Sequence, residues 1–104
     1  MCSICFQNGP GTSTQWMASS AVGASWDDAV AELWGSAMGV EFYNKGANVQ
    51  LGPGVNVNRV PVNGRNFEYL SGEDPLLGYR MTYATVKGIQ SQGEQILHAT
   101  GLRR

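Results

Sequence analysis

Two stretches of helically spaced apolar residues are separated by one short alternation and then by about twenty residues with little periodicity, an order that constrains the fold more than any other feature of the chain. In the first stretch Trp26, Ala29, Val30, Leu33, Trp34, Ala37, Met38 and Phe42 recur at intervals of three and four, which predicts a helix over residues 26–44 with one broad apolar face. Ser25 is the expected N-cap, with Asp28 three residues on completing a capping box and Asp27 adding negative charge where the helix dipole favours it. Gly46 supplies the expected left-handed stop. Upstream, "SSAVGASW" reads as a short apolar strand; downstream, Val49 and Leu51 alternate with Asn48 and Gln50 until Gly52-Pro53-Gly54 ends the run. Asp74 followed by Pro75 is an N-cap with a first-turn proline, and Leu76, Leu77, Met81, Ala84 and Val86 predict the buried stripe of a second helix ending near Gly93. Gly88 inside it costs about 1 kcal/mol relative to alanine on propensity alone.

Strand, helix, strand, long loop, helix is the order of parallel α/β units rather than of a sandwich or a bundle. In such folds the loops that leave the carboxyl ends of strands carry the binding site. That place is occupied here by residues 55–74, and "GRNFEYLSGEDP", residues 64–75, puts an arginine, aromatics, acids, two glycines and a proline within twelve positions. The aromatic and leucine content of the loop argues against disorder.

The totals narrow the partners. Seven basic and eight acidic residues leave a formal net charge of −1 with no long run of one sign, so no partnership with nucleic acid or an anionic membrane is expected. No stretch approaches the roughly 18 uninterrupted apolar residues of a membrane span. At 104 residues the chain has the size of one domain or a piece of a larger one. Its fourteen glycines, about twice the average share, mostly punctuate the edges of periodic segments. Cys2 and Cys5 form a C-x-x-C, but the chain has no second pair and a single histidine, His98, so it cannot complete a four-ligand zinc site from its own residues. No metal or cofactor is expected.

Residues 41–78, "EFYNKGANVQLGPGVNVNRVPVNGRNFEYLSGEDPLLG", closely resemble the N-terminal catalytic domain of glycoside hydrolase family 3, the β-glucosidase group. "NKGANVQLGPG", "NGRNFE", "SGEDP" and "VKGIQSQG" occur in order and register, and "GTSTQW" and "VGASWD" upstream also look like the family, so the resemblance covers about residues 6–93. It implies a partial (β/α)8 TIM barrel of about two to three β/α units, with residues 94–104 as a divergent tail. It also implies hydrolysis of terminal β-linked glucose with retention, using a carboxylate nucleophile and a separate acid/base. The family nucleophile is an aspartate in a Ser-Asp-Trp-like motif, which this sequence lacks, and the acid/base comes later still. Glu68, Glu73 and Asp74 match loop positions of the motif rather than either catalytic carboxylate. The resemblance therefore implies a fragment of a β-glucosidase, inactive alone, whose parent acts on a β-glucoside or β-glucan; a small non-catalytic sugar- or partner-binding module derived from the barrel is the alternative.

Two substrate-binding positions carry over. Arg65, in "NGRNFE", matches the family arginine that holds hydroxyls of the glucose at the point of cleavage, a task suited to a guanidinium fork. Asn66, Phe67 and Glu68 are then expected to pack and orient its loop. Asn8, in "QNGPGTST", stands where the family has an aspartate that accepts from sugar hydroxyls. His98 falls near a family Lys-His pair but follows Leu97, and no role is assigned to it.

Overall fold

A computed structural model describes residues 13–47, 49–93 and 95–97. In chain order these form helix α1 (Ser19–Gly23), helix α2 (Asp28–Asn44), strand β1 (Val49–Leu51), a 3₁₀ turn (Asn66–Glu68), helix α3 (Pro75–Gln90) and strand β2 (Gln95–Leu97). The strands pair in parallel, Val49 with Gln95, Gln50 with Ile96 and Leu51 with Leu97. β1, the long loop, α3 and β2 thus make a β-α-β crossover; the parallel α/β class holds, but on a strand pair other than the one expected from the order of elements.

The first expected strand is a helix: residues 19–23 make one short turn, with Ala24 N–H donating to Ser20 O at 3.0 Å. A brief run of small apolar residues has no periodicity by which to distinguish the two states. The start of α2 also differs from the expected capping box. Ser25 Oγ donates to Val22 O at 2.7 Å and accepts from Asp27 N–H at 3.3 Å, bonding the turn between the two helices, and Trp26 takes a left-handed φ of 56° that turns the chain. The cap falls to Asp27, whose Oδ1 accepts from Ala29 N–H at 2.8 Å. The predicted end holds, with Gly46 at φ 75° just beyond α2. α3 begins as expected, Asp74 Oδ1 accepting from Leu76 and Leu77 N–H at 2.8 and 3.4 Å ahead of Pro75, and it ends at Gln90, three residues short of Gly93.

The core comprises Val22, Ala31, Trp34, Met38, Phe42, Leu70, Met81, Ala84 and Ile89. On α2 the inward stripe is Ala31, Trp34, Met38 and Phe42, while Trp26 and Leu33, expected on the same face, are exposed. Leu76 of the predicted α3 stripe is exposed too, and Leu77 is half-buried against the core. α2 is apolar on more than one side, so spacing alone does not say which side packs. The alternation in β1 is real, but Gln50 is the buried residue while Val49 and Leu51 face outward.

α2 and α3 meet along a seam of glycines. A β-carbon at Gly39 would stand 2.9 Å from Ile89 O, and one at Gly88 would overlap the Glu32 carbonyl and stand 2.8 Å from Ser36 N. Arg80 pairs with Asp28 across the seam, Lys87 with Glu32 at 2.9 Å, and Gln92 Nε2 donates to Ser36 Oγ at 3.2 Å.

Candidate functional site

β1 runs out through a cis Gly52–Pro53 bond into the loop of residues 52–74. The loop is folded back on itself by its own polar groups. Gly54 forms a parallel bridge with Tyr69, and Leu70 N–H donates to Gly54 O at 3.1 Å. Asn58 N–H donates to Gly72 O at 2.7 Å, and Ser71 Oγ donates to Asn56 O at 2.8 Å. Inside this closed outline Asn58 Nδ2 donates to Asn66 O at 3.4 Å and Asn66 Nδ2 to Val60 O at 3.0 Å. Five donors thus join the outgoing and returning arms of a segment with almost no regular structure, accounting for backbone groups that a sheet or helix would otherwise satisfy.

Arg65 stands at the head of this loop, immediately before the 3₁₀ turn. Its backbone N–H donates to Asn63 Oδ1 at 3.3 Å, and its carbonyl accepts from Glu68 N–H at 3.0 Å, closing the turn. Its side chain is 70% exposed, yet the guanidinium is engaged: Nε donates to Glu68 Oε1 at 3.0 Å and Nη2 to Glu68 Oε2 at 2.7 Å. This two-pronged geometry is the favourable one for an arginine and a carboxylate. Hydrogen bonding from Arg65 holds the Glu68 carboxyl below its ordinary value, partial burial opposing it, and the same bonds raise the Arg65 value further. Two of the five guanidinium N–H donors are used, leaving the others on the exposed side.

The acids of the loop are largely committed. Glu68 is spent on Arg65 and Asp74 on the start of α3, while Glu73 is exposed. No group of three or more histidine, cysteine or acidic residues that could hold a metal ion occurs among the described residues. Asn8, Cys2, Cys5 and His98 lie outside the described residues. Periodicity did not reveal the roles of Asn58 and Asn63 in tying the loop. The Arg-x-x-Glu spacing is the local signal for the fork, since residues three apart eclipse on a 3₁₀ turn.

A second polar anchor lies upstream. Thr14 N–H and Trp16 Nε1 donate to the two carboxylate oxygens of Glu41 at 2.7 and 2.9 Å, fastening residues 14–16 to α2. An open groove lies over this anchor, lined by Thr14, Trp16, Val40, Glu41 and Lys45 among others, and it shares no residue with the loop of Arg65.

The sequence model described as "Glycosyl hydrolase family 3 N terminal domain" matches residues 7–100. The β-glucosidase BoGH3A of Bacteroides ovatus is 42% identical over 80 residues, which is 77% of this chain and 11% of that protein. Among solved structures, β-glucosidase 3B from Thermotoga neapolitana, in complex with α-D-glucose, superposes with a TM-score of 0.81 at 38% identity, covering 90% of this chain and 13% of that one. A β-glucosidase from Streptomyces venezuelae in complex with D-glucose gives a TM-score of 0.84 at 36% identity, over 88% of this chain and 12% of that one. The chain therefore spans only about a tenth of the length of the relatives it matches.

Proposed function

The chain belongs to glycosyl hydrolase family 3 as a stretch of its N-terminal domain, and from that premise we propose that residues 52–74 are the sugar-holding loop of a β-glucosidase. In this reading Arg65 donates to hydroxyls of the terminal β-linked glucose at the point of cleavage. Asn8 is a second contact, an amide where the family carries a carboxylate. The observation that carries the reading is the Arg65 guanidinium itself, presented at the loop that leaves the carboxyl end of β1, braced on one edge by Glu68 and open on the other. Adjacent sugar hydroxyls offer acceptor oxygens at a spacing that such a fork can meet together.

The β-α-β crossover is then about two to three units of a (β/α)8 barrel. Hydrolysis with retention needs two carboxyl groups flanking the glycosidic bond, about 5 to 5.5 Å apart. Glu68 and Asp74 already serve other partners, so the chain by itself holds and orients glucose but does not cleave. The five hydrogen bonds that join the two arms of the loop lie within the loop itself, which supports sugar binding by this chain independent of turnover.

Assay with an aryl β-glucoside is expected to show no turnover. Activity lost to a mechanism-based inhibitor that labels an acid of this chain would refute the assignment. Within an active family enzyme carrying this segment, Arg65→Ala should lower kcat/KM by roughly 10- to 150-fold, equivalent to losing about 1.5 to 3 kcal/mol of hydrogen bonding from a charged donor. A change within about twofold means that Arg65 does not touch sugar.

A further inference from the structure

We propose that the open groove over Glu41 is a second saccharide site, which takes a β-linked gluco-oligosaccharide stacked on the indole of Trp16. The choice of ligand rests on the β-glucosidase reading above; the groove itself shares no residue with the loop of Arg65.

The platform is fixed before any ligand arrives. Trp16 packs against the core and also lines the groove, so part of its indole lies on protein and part toward the opening. Its Nε1 donates to Glu41 Oε2 at 2.9 Å while Thr14 N–H holds Oε1 at 2.7 Å, so a single carboxylate on α2 sets both the backbone of this stretch and the plane of the ring. A ring held in this way has little rotational freedom left to lose on binding. The one N–H of the indole is already used, which leaves the π face as the contact it can offer. That face is electronegative. A β-linked glucose unit carries its substituents around the rim and turns C–H groups toward such a face.

The surroundings suit the rest of the sugar. Asn44 is exposed and supplies an amide that both donates and accepts, and the exposed Ser13 adds a hydroxyl. Val40, 41% exposed, gives an apolar floor beside the ring. The charged groups lining the groove are one acid and one base, Glu41 and Lys45, so it has no net charge with which to attract an ion and matches an uncharged, hydroxyl-rich ligand. Its volume of about 740 Å³ is that of a small-ligand site. Being open, it suits a chain of sugar units whose ends run out into solvent. α2 ends at Asn44 and the chain turns at Gly46 into β1, so the groove flanks the amino end of β1, whereas the Arg65 loop leaves the carboxyl end. One glucose unit cannot occupy both places.

The test is a titration of the ¹⁵N-labelled full chain with cellotetraose, for the wild type, Trp16→Leu, Asn44→Ala and Arg65→Ala, following the Trp16 indole N–H and the amides of residues 44–45 and 63–69. In the wild type the indole and the amides of residues 44–45 should shift saturably, and they should do so equally in Arg65→Ala. Trp16→Leu and Asn44→Ala should each weaken this response by about 2- to 12-fold, with the response of residues 63–69 kept. A wild type in which only residues 63–69 respond overturns the groove and leaves the reading of Arg65 standing. Shifts confined to the groove uphold it and remove Arg65 as a sugar contact. Loss of the groove's response in Arg65→Ala, wild-type affinity in both Trp16→Leu and Asn44→Ala, or an equal response to glycerol overturns the proposal. Should Trp16→Leu lose the amide dispersion of α2 and α3, Asn44→Ala, at an exposed helix end, decides alone: wild-type affinity there overturns the site.

Discussion

Replacing Gly88 by alanine sets two effects of known sign against each other. On helix propensity alone alanine is favoured by about 0.8 to 1.0 kcal/mol, so an isolated α3 would gain. In the folded chain the new methyl lands in the α2–α3 seam, overlapping the Glu32 carbonyl and lying 2.8 Å from Ser36 N and 3.1 Å from Glu32 C. All three neighbours are backbone atoms, so no rotamer change relieves the overlap. The helices must separate, weakening the Lys87–Glu32 pair and the Gln92–Ser36 bond that cross the same seam. Overpacking costs about 1 to 3 kcal/mol, and a clash with backbone belongs at the upper end. After the propensity gain is subtracted, a net loss of about 2 kcal/mol remains. For a domain of this size that lowers Tm by about 8 °C or more. Urea titrations of the far-UV circular dichroism, with fluorescence of the buried Trp34 as a second probe, compare wild type and Gly88→Ala. Tyr79→Ala, on the exposed side of α3, controls for propensity. An unchanged or raised midpoint in Gly88→Ala would refute the close approach of the two helices.

Asp74→Ala should cost about 1 kcal/mol, because Leu76 and Leu77 N–H both lose their acceptor at the start of α3; an unchanged urea midpoint would show that the cap is not formed. Acidification should release residues 14–16 from α2. Partial burial pushes Glu41 up, but hydrogen bonds from Thr14 and Trp16, with Lys45 nearby, outweigh it and hold the carboxyl below its ordinary value of 4.5. With a folded value below the unfolded one, the contribution is full above about pH 4.5 and is lost as pH falls through the lowered value. The Trp16 indole N–H resonance should therefore titrate at a pH below 4.5, and a signal indifferent to acid, or one titrating identically in Glu41→Gln, would remove Glu41 as its partner.

The parts of the fold visible in sequence are those governed by local chemistry. Asp74-Pro75 starts a helix and Gly46 ends one because caps and left-handed turns need particular residues at particular places. Direction of burial was less legible. Leu33 and Leu76 have the spacing of core residues and lie outside, because α2 and α3 approach through Gly35, Gly39 and Gly88, residues that no hydrophobic pattern singles out. Strand β2 also escaped notice: Gln95–Leu97 is too short to show a period, and its pairing with β1 is non-local. Around the site, family likeness pointed to Arg65, and the structure shows its guanidinium bonded to Glu68 three residues on. The ties made by Asn58 and Asn66 depend on two arms of a loop meeting in space, which residue spacing does not encode.

Where the long loop returns to the body of the chain, hydrogen atoms alone separate three backbones. Gly23 on α1 lies against the Leu70 carbonyl, and Leu70 in turn gives its N–H to Gly54 at the exit of β1. A methyl at Gly54 would stand 2.9 Å from both Glu68 O and Tyr69 Cδ1, while one at Gly23 would overlap Leu70 O. Either intrusion displaces the base on which the Arg65 turn rides. On the proposed sugar-holding role of Arg65, a saturation screen scored by sugar capture would rank these two glycines beside the arginine, and a map of the footprint drawn from that screen would extend to positions that no hydroxyl reaches.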